Sequence, residues 1–270
     1  DVTLTCHGKD SVFAQAALAN LLRQYVLLLE QIVRSPGSPC GAYSLRAGGD
    51  PRAEPRRFWS GPVHALFRAR ALADPEAPAI VEPGREWSYG ALLVASSGLS
   101  ASLRAAGIGA GDVVAIVASR QAGLVVAVMA VLQAGAAFSL LNPEYPVERL
   151  VQLVDIVRPA RILFADEPRH FPPALVEALE NLAPVDHVSP VVPLDANLAD
   201  VGEAAEVEPG QLACVTFTSG TTGIPKAVAG THIGLAGYLG WVPEWLHLSP
   251  FDRFSMLSGL GHDPLQREIF

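Results

Sequence analysis

The chain has 270 residues, half of them hydrophobic and 17% charged, with 27 acidic against 19 basic side chains and a net charge of −8. That composition can bury a sizeable core and excludes a disordered chain, and the acidic balance excludes the electrostatic footprint of a nucleic-acid or anionic-membrane binder. Cys6, Cys40 and Cys214 stand at wide spacing with no CxxC or Cys/His pattern, so neither a disulfide framework nor a metal site is indicated.

Asp1–Cys6 alternates apolar and polar residues and predicts a short strand. Ser11 can cap a helix over Val12–Val33, where Phe13, Ala17, Leu21, Leu22, Tyr25, Leu28, Leu29 and Ile32 recur at helical spacing and call for a partner surface. Ser35–Pro55 is rich in proline, glycine and arginine, which is linker chemistry. Glu54 interrupts Arg52, Arg56 and Arg57, so they read as a solvated linker and not a binding patch. The division is therefore residues 1–34, a linker over 35–58 and a main domain over 59–270.

In the main domain a helix near Val63–Leu72 precedes a hairpin, Ala79–Val81 and Glu86–Ser88, turning at Pro83-Gly84. Ser88 caps a helix towards Ala105, and Val113–Val117 is a buried strand bounded by Gly111-Asp112. A helix around Leu124–Gln133, a strand at Ala136–Leu141, a helix at Val147–Val157 and a strand at Arg161–Phe164 follow, with another strand at Leu212–Phe217. Such alternation predicts an α/β fold with a largely parallel sheet. Cys214, in an apolar run, reads as a small core residue. No apolar stretch is long enough to span a bilayer and no signal peptide opens the chain, so a cytoplasmic protein is expected. Asp1 is not a methionine and Phe270 ends an apolar segment without a stop signal, so the chain reads as an excerpt of something longer.

The densest chemistry lies in residues 216–226. A buried strand runs into Thr218, Ser219, Gly220, Thr221, Thr222 and Gly223, and Pro225-Lys226 follows. Glycines let backbone N–H groups approach an anion, hydroxyls add donors, and Lys226 adds a charge, which suits a nucleoside triphosphate tail. The loop is not a Walker A loop, because Pro225 precedes Lys226 and Ala227 follows it.

Thr218-Ser-Gly-Thr-Thr-Gly-Ile-Pro-Lys226 resembles the signature loop of the adenylate-forming superfamily, except that Ala227 stands where glycine is usual. Trp87-Ser-Tyr-Gly-Ala-Leu92 and Leu132–Leu150 resemble the first and second core motifs of nonribosomal peptide synthetase adenylation domains, with Asn142 where Asp is usual. In the second, Gly135 would allow close helix–strand contact, and Pro143 and Pro146 would set the turn. The first fifty residues resemble, more loosely, the closing strand and helix of a condensation domain. That domain's histidine motif is absent, and His7 reads as a surface residue.

Arg253–Phe270 resembles the fourth core motif. Asp263 and Arg267 are four residues apart, and Pro264 can open a helix that puts both on one face. They form either an ordinary i, i+4 ion pair or a zwitterion receptor, Asp263 for an ammonium and Arg267 for a carboxylate. The wording of this stretch, and of Ala229–Leu235, is most similar to the 2-aminoadipate reductase type. His262 either lines the acid pocket beside Asp263 and Pro264 or is a packed histidine.

The resemblance implies the large N-terminal domain of an acetyl-CoA-synthetase-like fold, incomplete here and preceded by a condensation-like remnant. It also implies ATP-dependent activation of a carboxylic or amino acid as an acyl adenylate. Lys226, Thr218 and Thr221 would be catalytic, the loop would hold the phosphates, and Mg2+ would bind largely through residues outside this chain. A downstream carrier domain with a phosphopantetheine thiol would take the acyl group. The fragment alone is expected to be inactive. The alternatives are an acyl-CoA ligase and a degenerate docking module.

Overall fold

The computed structural model describes residues 5–6, 15–45, 59–166, 168–188, 197–218, 225–261 and 265–270. The chain divides into two units, Asp1–Arg56 and Arg57–Phe270.

In the first unit one helix, α1 (Gln15–Arg34), buries none of its residues. Its apolar positions Leu21, Tyr25, Leu29 and Ile32 remain exposed. Gln31 ties it to the following segment, accepting from the Ser44 backbone N–H and donating to the Ser44 carbonyl. The strand expected at Asp1–Cys6 and the Ser11 cap fall almost wholly outside the described residues, as does His7; Thr5 and Cys6 carry no strand.

The second unit opens with α2 (Val63–Ala73), the antiparallel pair β1 (Pro78–Glu82) and β2 (Arg85–Ser88), and α3 (Tyr89–Ala105). Gly84 adopts φ 78° in the hairpin turn, where a side chain would be strained. The Ser88 hydroxyl accepts from the Ala91 N–H at 3.2 Å and caps α3.

A six-stranded sheet forms the centre. It contains β3 (Val113–Val117), β4 (Ala137–Leu141), β5 (Arg161–Phe164), β6 (Val185–His187), β7 (Leu212–Thr218) and β8 (Lys226–Thr231), in spatial order β6-β5-β3-β4-β7-β8. All pairs are parallel except β7–β8. The two faces of β3 show why its sequence is uniformly apolar. Val114 and Ile116 pack on the side of α4 (Ala122–Gln133), whereas Ala115 and Val117 pack on the side of α5 (Val147–Val157) and α6 (Pro173–Glu180).

Every residue of α4 is buried. Leu124, Ala127, Val128, Val131 and Leu132 meet the sheet, and Val125, Val126 and Met129 meet α2 and α3. A helix enclosed on two sides has no wet face, hence its run of Val, Ala and Leu. Its polar end residue Gln133 is satisfied by Ser97 and Ser96, each at 3.0 Å. The chain closes with α7 (His232–Leu246) and the short α8 (Gln266–Ile269).

Several elements differ from the sequence expectation. The helix expected from Leu124 starts at Ala122, where the Glu82 carboxylate accepts from its first N–H, and β4 begins one residue later than expected, at Ala137. The elements α6, β6 and α7 were not anticipated: α6 starts directly after Pro172 with Pro173 as its first residue, β6 has three residues, and α7 contains Pro243. Gly135 serves differently from the helix–strand contact expected of it. Its φ is 81°, and a Cβ there would lie 3.0 Å from that of Ala205, so the segment before β7 crowds it. Among the described residues no helix is long and apolar enough to cross a membrane.

Candidate functional site

The five parallel strands all end at one edge of the sheet, and β7 delivers the hydroxyl-rich loop to that edge. Thr218 and Lys226 are Cα partners on the antiparallel β7–β8 ladder, so the intervening loop leaves from and returns to one rung. Both are exposed, and Pro225 is buried behind them. Ser219, Gly220, Thr221, Thr222 and Gly223 lie outside the described residues. In open α/β sheets the carboxyl edge is where ligands are held.

Asn142 shares that edge. Phe138 of β4 pairs with Cys214 of β7, and Asn142 and Thr218 each stand four residues further along. The buried Asn142 amide oxygen accepts from the Glu144 N–H at 3.1 Å, and its carbonyl accepts from the Tyr145 N–H at 3.0 Å. Asparagine thus makes the same side-chain turn an aspartate would, and Pro146 fixes the entry to α5 at φ −51°.

The chain itself covers the crevice at the topological switch point. Helix α4, after β3, and helix α5, after β4, lie on opposite faces, so the carboxyl ends of β3 and β4 open between them. Residues 258–261 sit there. Arg120, in the turn after β3, donates from Nε to the Ser258 carbonyl at 3.2 Å, and a Cβ on Gly261 would lie 3.0 Å from the Tyr145 hydroxyl. Leu260 and Leu265 are buried, and a small cleft lined by Phe138, Leu140, Val215, Phe217, Leu260 and Gln266 lies beneath.

The acid-binding corner expected at 262–267 is described in part. His262, Asp263 and Pro264 lie outside the described residues, as does the helix start expected at Pro264. Arg267 falls within α8, which begins at Gln266. Glu268, given no role by sequence reasoning, accepts from the Ser258 N–H at 3.0 Å and the Ser258 hydroxyl at 2.6 Å. Burial pushes its carboxyl up, but the bonds from Ser258 and Leu257 and the nearby Arg120 charge outweigh this and hold it below the ordinary glutamate range.

Sequence reasoning missed two other groupings. After β3 and β5, the buried Asp166 carboxylate accepts from the Ser119 hydroxyl and pairs with His170 Nδ1 at 2.8 Å. On α2 and at the start of α7, His64 and His232 are fully buried, edge to face with ring centroids 5.8 Å apart. His64 Nε2 reaches the Ala205 carbonyl at 3.3 Å, whereas His64 Nδ1 and both His232 nitrogens have no partner among the described residues. Desolvation, helped by His232, lowers the His64 pKa to about 4, and desolvation lowers that of His232. No signal for this pairing exists in sequence, since the two histidines are far apart in the chain.

A mostly parallel sheet, with a Thr/Ser/Gly-rich sequence between its strands β7 and β8, defines an α/β class of protein. Comparison makes the class specific: the chain belongs to the AMP-binding enzyme family, whose model matches residues 67–267. It is an adenylation-type sequence similar over its whole length to aminoadipate reductases. The L-2-aminoadipate reductase large subunit of Penicillium chrysogenum is 33% identical over 307 aligned positions, covering all of this chain and 22% of that protein. The structure of VinN with L-aspartate superposes with a TM-score of 0.64 at 25% identity, covering 77% of this chain and 59% of that one. The nonribosomal peptide synthetase FmoA3 gives a TM-score of 0.67 at 23% identity, covering 96% and 28%. The chain spans about a fifth of the length of the aminoadipate reductases it matches.

Proposed function

We propose that the polypeptide carrying these residues activates an amino acid with a second carboxyl group, 2-aminoadipate or a close analogue, as its acyl adenylate. The observation that carries this reading is the Thr218–Lys226 rung, which holds both ends of the hydroxyl-rich loop at the ligand-binding edge of the sheet. A carboxylate oxygen attacks the α-phosphorus of ATP, and the bond to pyrophosphate breaks. The loop from Thr218 to Gly223 donates to the β- and γ-phosphates, with Thr218 and Thr221 supplying hydroxyls. Lys226 offsets the charge that accumulates on the leaving pyrophosphate. Mg2+ would arrive with the triphosphate, and no described residue is assigned to it.

The substrate head is read from Asp263 and Arg267, with His262 and Pro264 beside them: ammonium against Asp263, α-carboxylate against Arg267. The remote carboxyl would then be the one activated. Similarity to aminoadipate reductases over the whole chain, and to a protein solved with L-aspartate, supports a dicarboxylic amino acid. A phosphopantetheine thiol on a carrier domain of the same polypeptide would take the acyl group. Residues 1–34, read as the end of a condensation-like domain, and the linker over 35–58 would precede the adenylation domain.

The test is ATP–pyrophosphate exchange on the full polypeptide with a panel of amino acids. Exchange with 2-aminoadipate well above that with leucine is expected; equal rates with the two would remove the assignment.

A further inference from the structure

Two buried histidines meet at the segment that leads into β7. His64 is the second residue of α2 and His232 the first of α7, and both rings are fully buried, edge to face with centroids 5.8 Å apart. His64 Nε2 stands 3.3 Å from the Ala205 carbonyl. A carbonyl only accepts, so Nε2 carries the proton and Nδ1 is bare. His64 Nδ1 and both His232 nitrogens have no partner among the described residues. A second proton on either ring would therefore find no acceptor there. It would also sit in the first turn of a helix, where the dipole opposes a positive charge.

The charged groups around the pair give no relief. Arg68 of α2 and Arg104 of α3 donate to the Gly202 and Glu203 carbonyls at 2.9 and 2.7 Å, and Arg70 of α2 pairs with Asp74. Glu203, Glu206 and Glu208 are exposed, and among the described residues no carboxylate acts on either ring. Helix α4 carries no ionisable side chain, and the first turn of α7 carries none besides His232.

Residues 201–206 have no regular structure, and few contacts hold them. The Ala205 N–H donates to the Gln133 carbonyl of α4 at 2.8 Å, while the Ala205 carbonyl faces His64. The bonds from Arg68 and Arg104 are exposed, and Val201 packs only half-buried against the α2–α3–α4 cluster. A segment with so few buried contacts can open below the free energy of global unfolding.

We propose that the His64–His232 pair is an acid-sensitive latch: protonation of the pair releases residues 201–206 from α2 and α4 while the central sheet stays folded. The closed state holds the His64 pKa at about 4, against 6.5 for the free side chain, so between those values only the open state binds the proton. Opening is therefore favoured as the pH falls below 6.5, and the effect levels off near 4. The latch does not depend on which acid is activated.

The experiment is hydrogen exchange read by mass spectrometry on the full polypeptide at pH 7.5 and pH 5, corrected for intrinsic exchange rates. The peptide containing Ala205 is compared with peptides of β3 and β4. Protonation of His64 alone is expected to raise the opening constant at Ala205 about 30-fold between the two pH values. Low urea should leave that opening unchanged while it speeds exchange in β3 and β4, because local opening exposes little surface. His64→Gln keeps a donor for the Ala205 carbonyl but does not titrate, so its opening should change less than about threefold between the two pH values. Arg68→Ala removes a different anchor of the same segment and serves if His64→Gln does not fold. It should raise opening about five- to tenfold at both pH values and keep the acid response. Four results would each overturn the latch. They are a wild-type rise of less than about threefold, opening at Ala205 that follows urea as the sheet does, a glutamine variant that still responds in full, and an Arg68→Ala protein without the acid response.

Discussion

Thr218 and Lys226 face each other across the last rung of the β7–β8 ladder. The backbone of the lysine is therefore positioned by strand pairing with the residue that opens the hydroxyl-rich stretch. A cation carried on a paired strand is the kind of group that the proposed stabilisation of a leaving pyrophosphate would use.

Replacing that lysine should separate chemistry from stability. Lys226→Ala removes a charge-assisted contact worth about 1.5–3 kcal/mol, so exchange kcat/KM for ATP should fall roughly 10- to 100-fold. Lys226 is exposed, so the urea midpoint should move by no more than about 0.5 kcal/mol in equivalent stability. Unchanged exchange would count against its role at the phosphates.

The buried histidine pair gives the fold an acid limit. His64 has its pKa lowered to about 4 from 6.5, so between those values the unfolded chain binds a proton that the native state refuses. Stability from this residue is complete above about pH 6.5 and is lost as the pH falls towards 4, by about 3 kcal/mol at most. The direction for His232 is the same. Urea unfolding at pH 7.5 and pH 5 measures it: His64→Leu should shrink the difference between the two pH values relative to wild type.

Close packing at the β7–β8 pair should forbid a methyl group. Gly230 faces Cys214, and a Cβ on it would stand 2.5 Å from the Cys214 sulfur. Gly230→Ala should destabilise the domain by about 1–3 kcal/mol through overpacking. Adding Cys214→Ala should recover part of that, which a double-mutant cycle of urea midpoints reads as a coupling energy.

Glu82 joins the hairpin to the central buried helix. Its two carboxylate oxygens accept from the buried Trp87 indole N–H at 3.1 Å and from the Ala122 N–H, at the start of α4, at 3.0 Å. Glu82→Ala leaves an indole donor unpaired and a helix end uncapped, and should cost about 2 kcal/mol. Glu82→Gln, which keeps one acceptor, should fall between alanine and wild type by thermal unfolding.

The elements legible in sequence were those whose reason is local. Val113–Val117 is a β-branched run bounded by a Gly-Asp turn, Val147–Val157 follows a proline that cannot continue a strand, and both have the expected bounds. Ser88 announces α3 through its own hydroxyl. The strand β6 was not legible, because three residues carry no period and its partner is β5. Neither was the length of α7, which runs through Pro243.

Of the candidate site, the sequence by itself determined the chemical vocabulary: the glycines and hydroxyls from Thr218 to Gly223, Lys226, and the Asp263–Arg267 spacing. Loop chemistry is written in consecutive residues, so it survives without coordinates. Only the tertiary structure decided that Lys226 is held by a strand opposite Thr218, that residues 258–261 cover the β3–β4 crevice, and that Glu268 reaches Ser258 while Arg120 reaches it across 138 residues of chain. Those contacts depend on which helix takes which face of the sheet. Burial of apolar area over the whole chain decides that, and no short window of residues contains it.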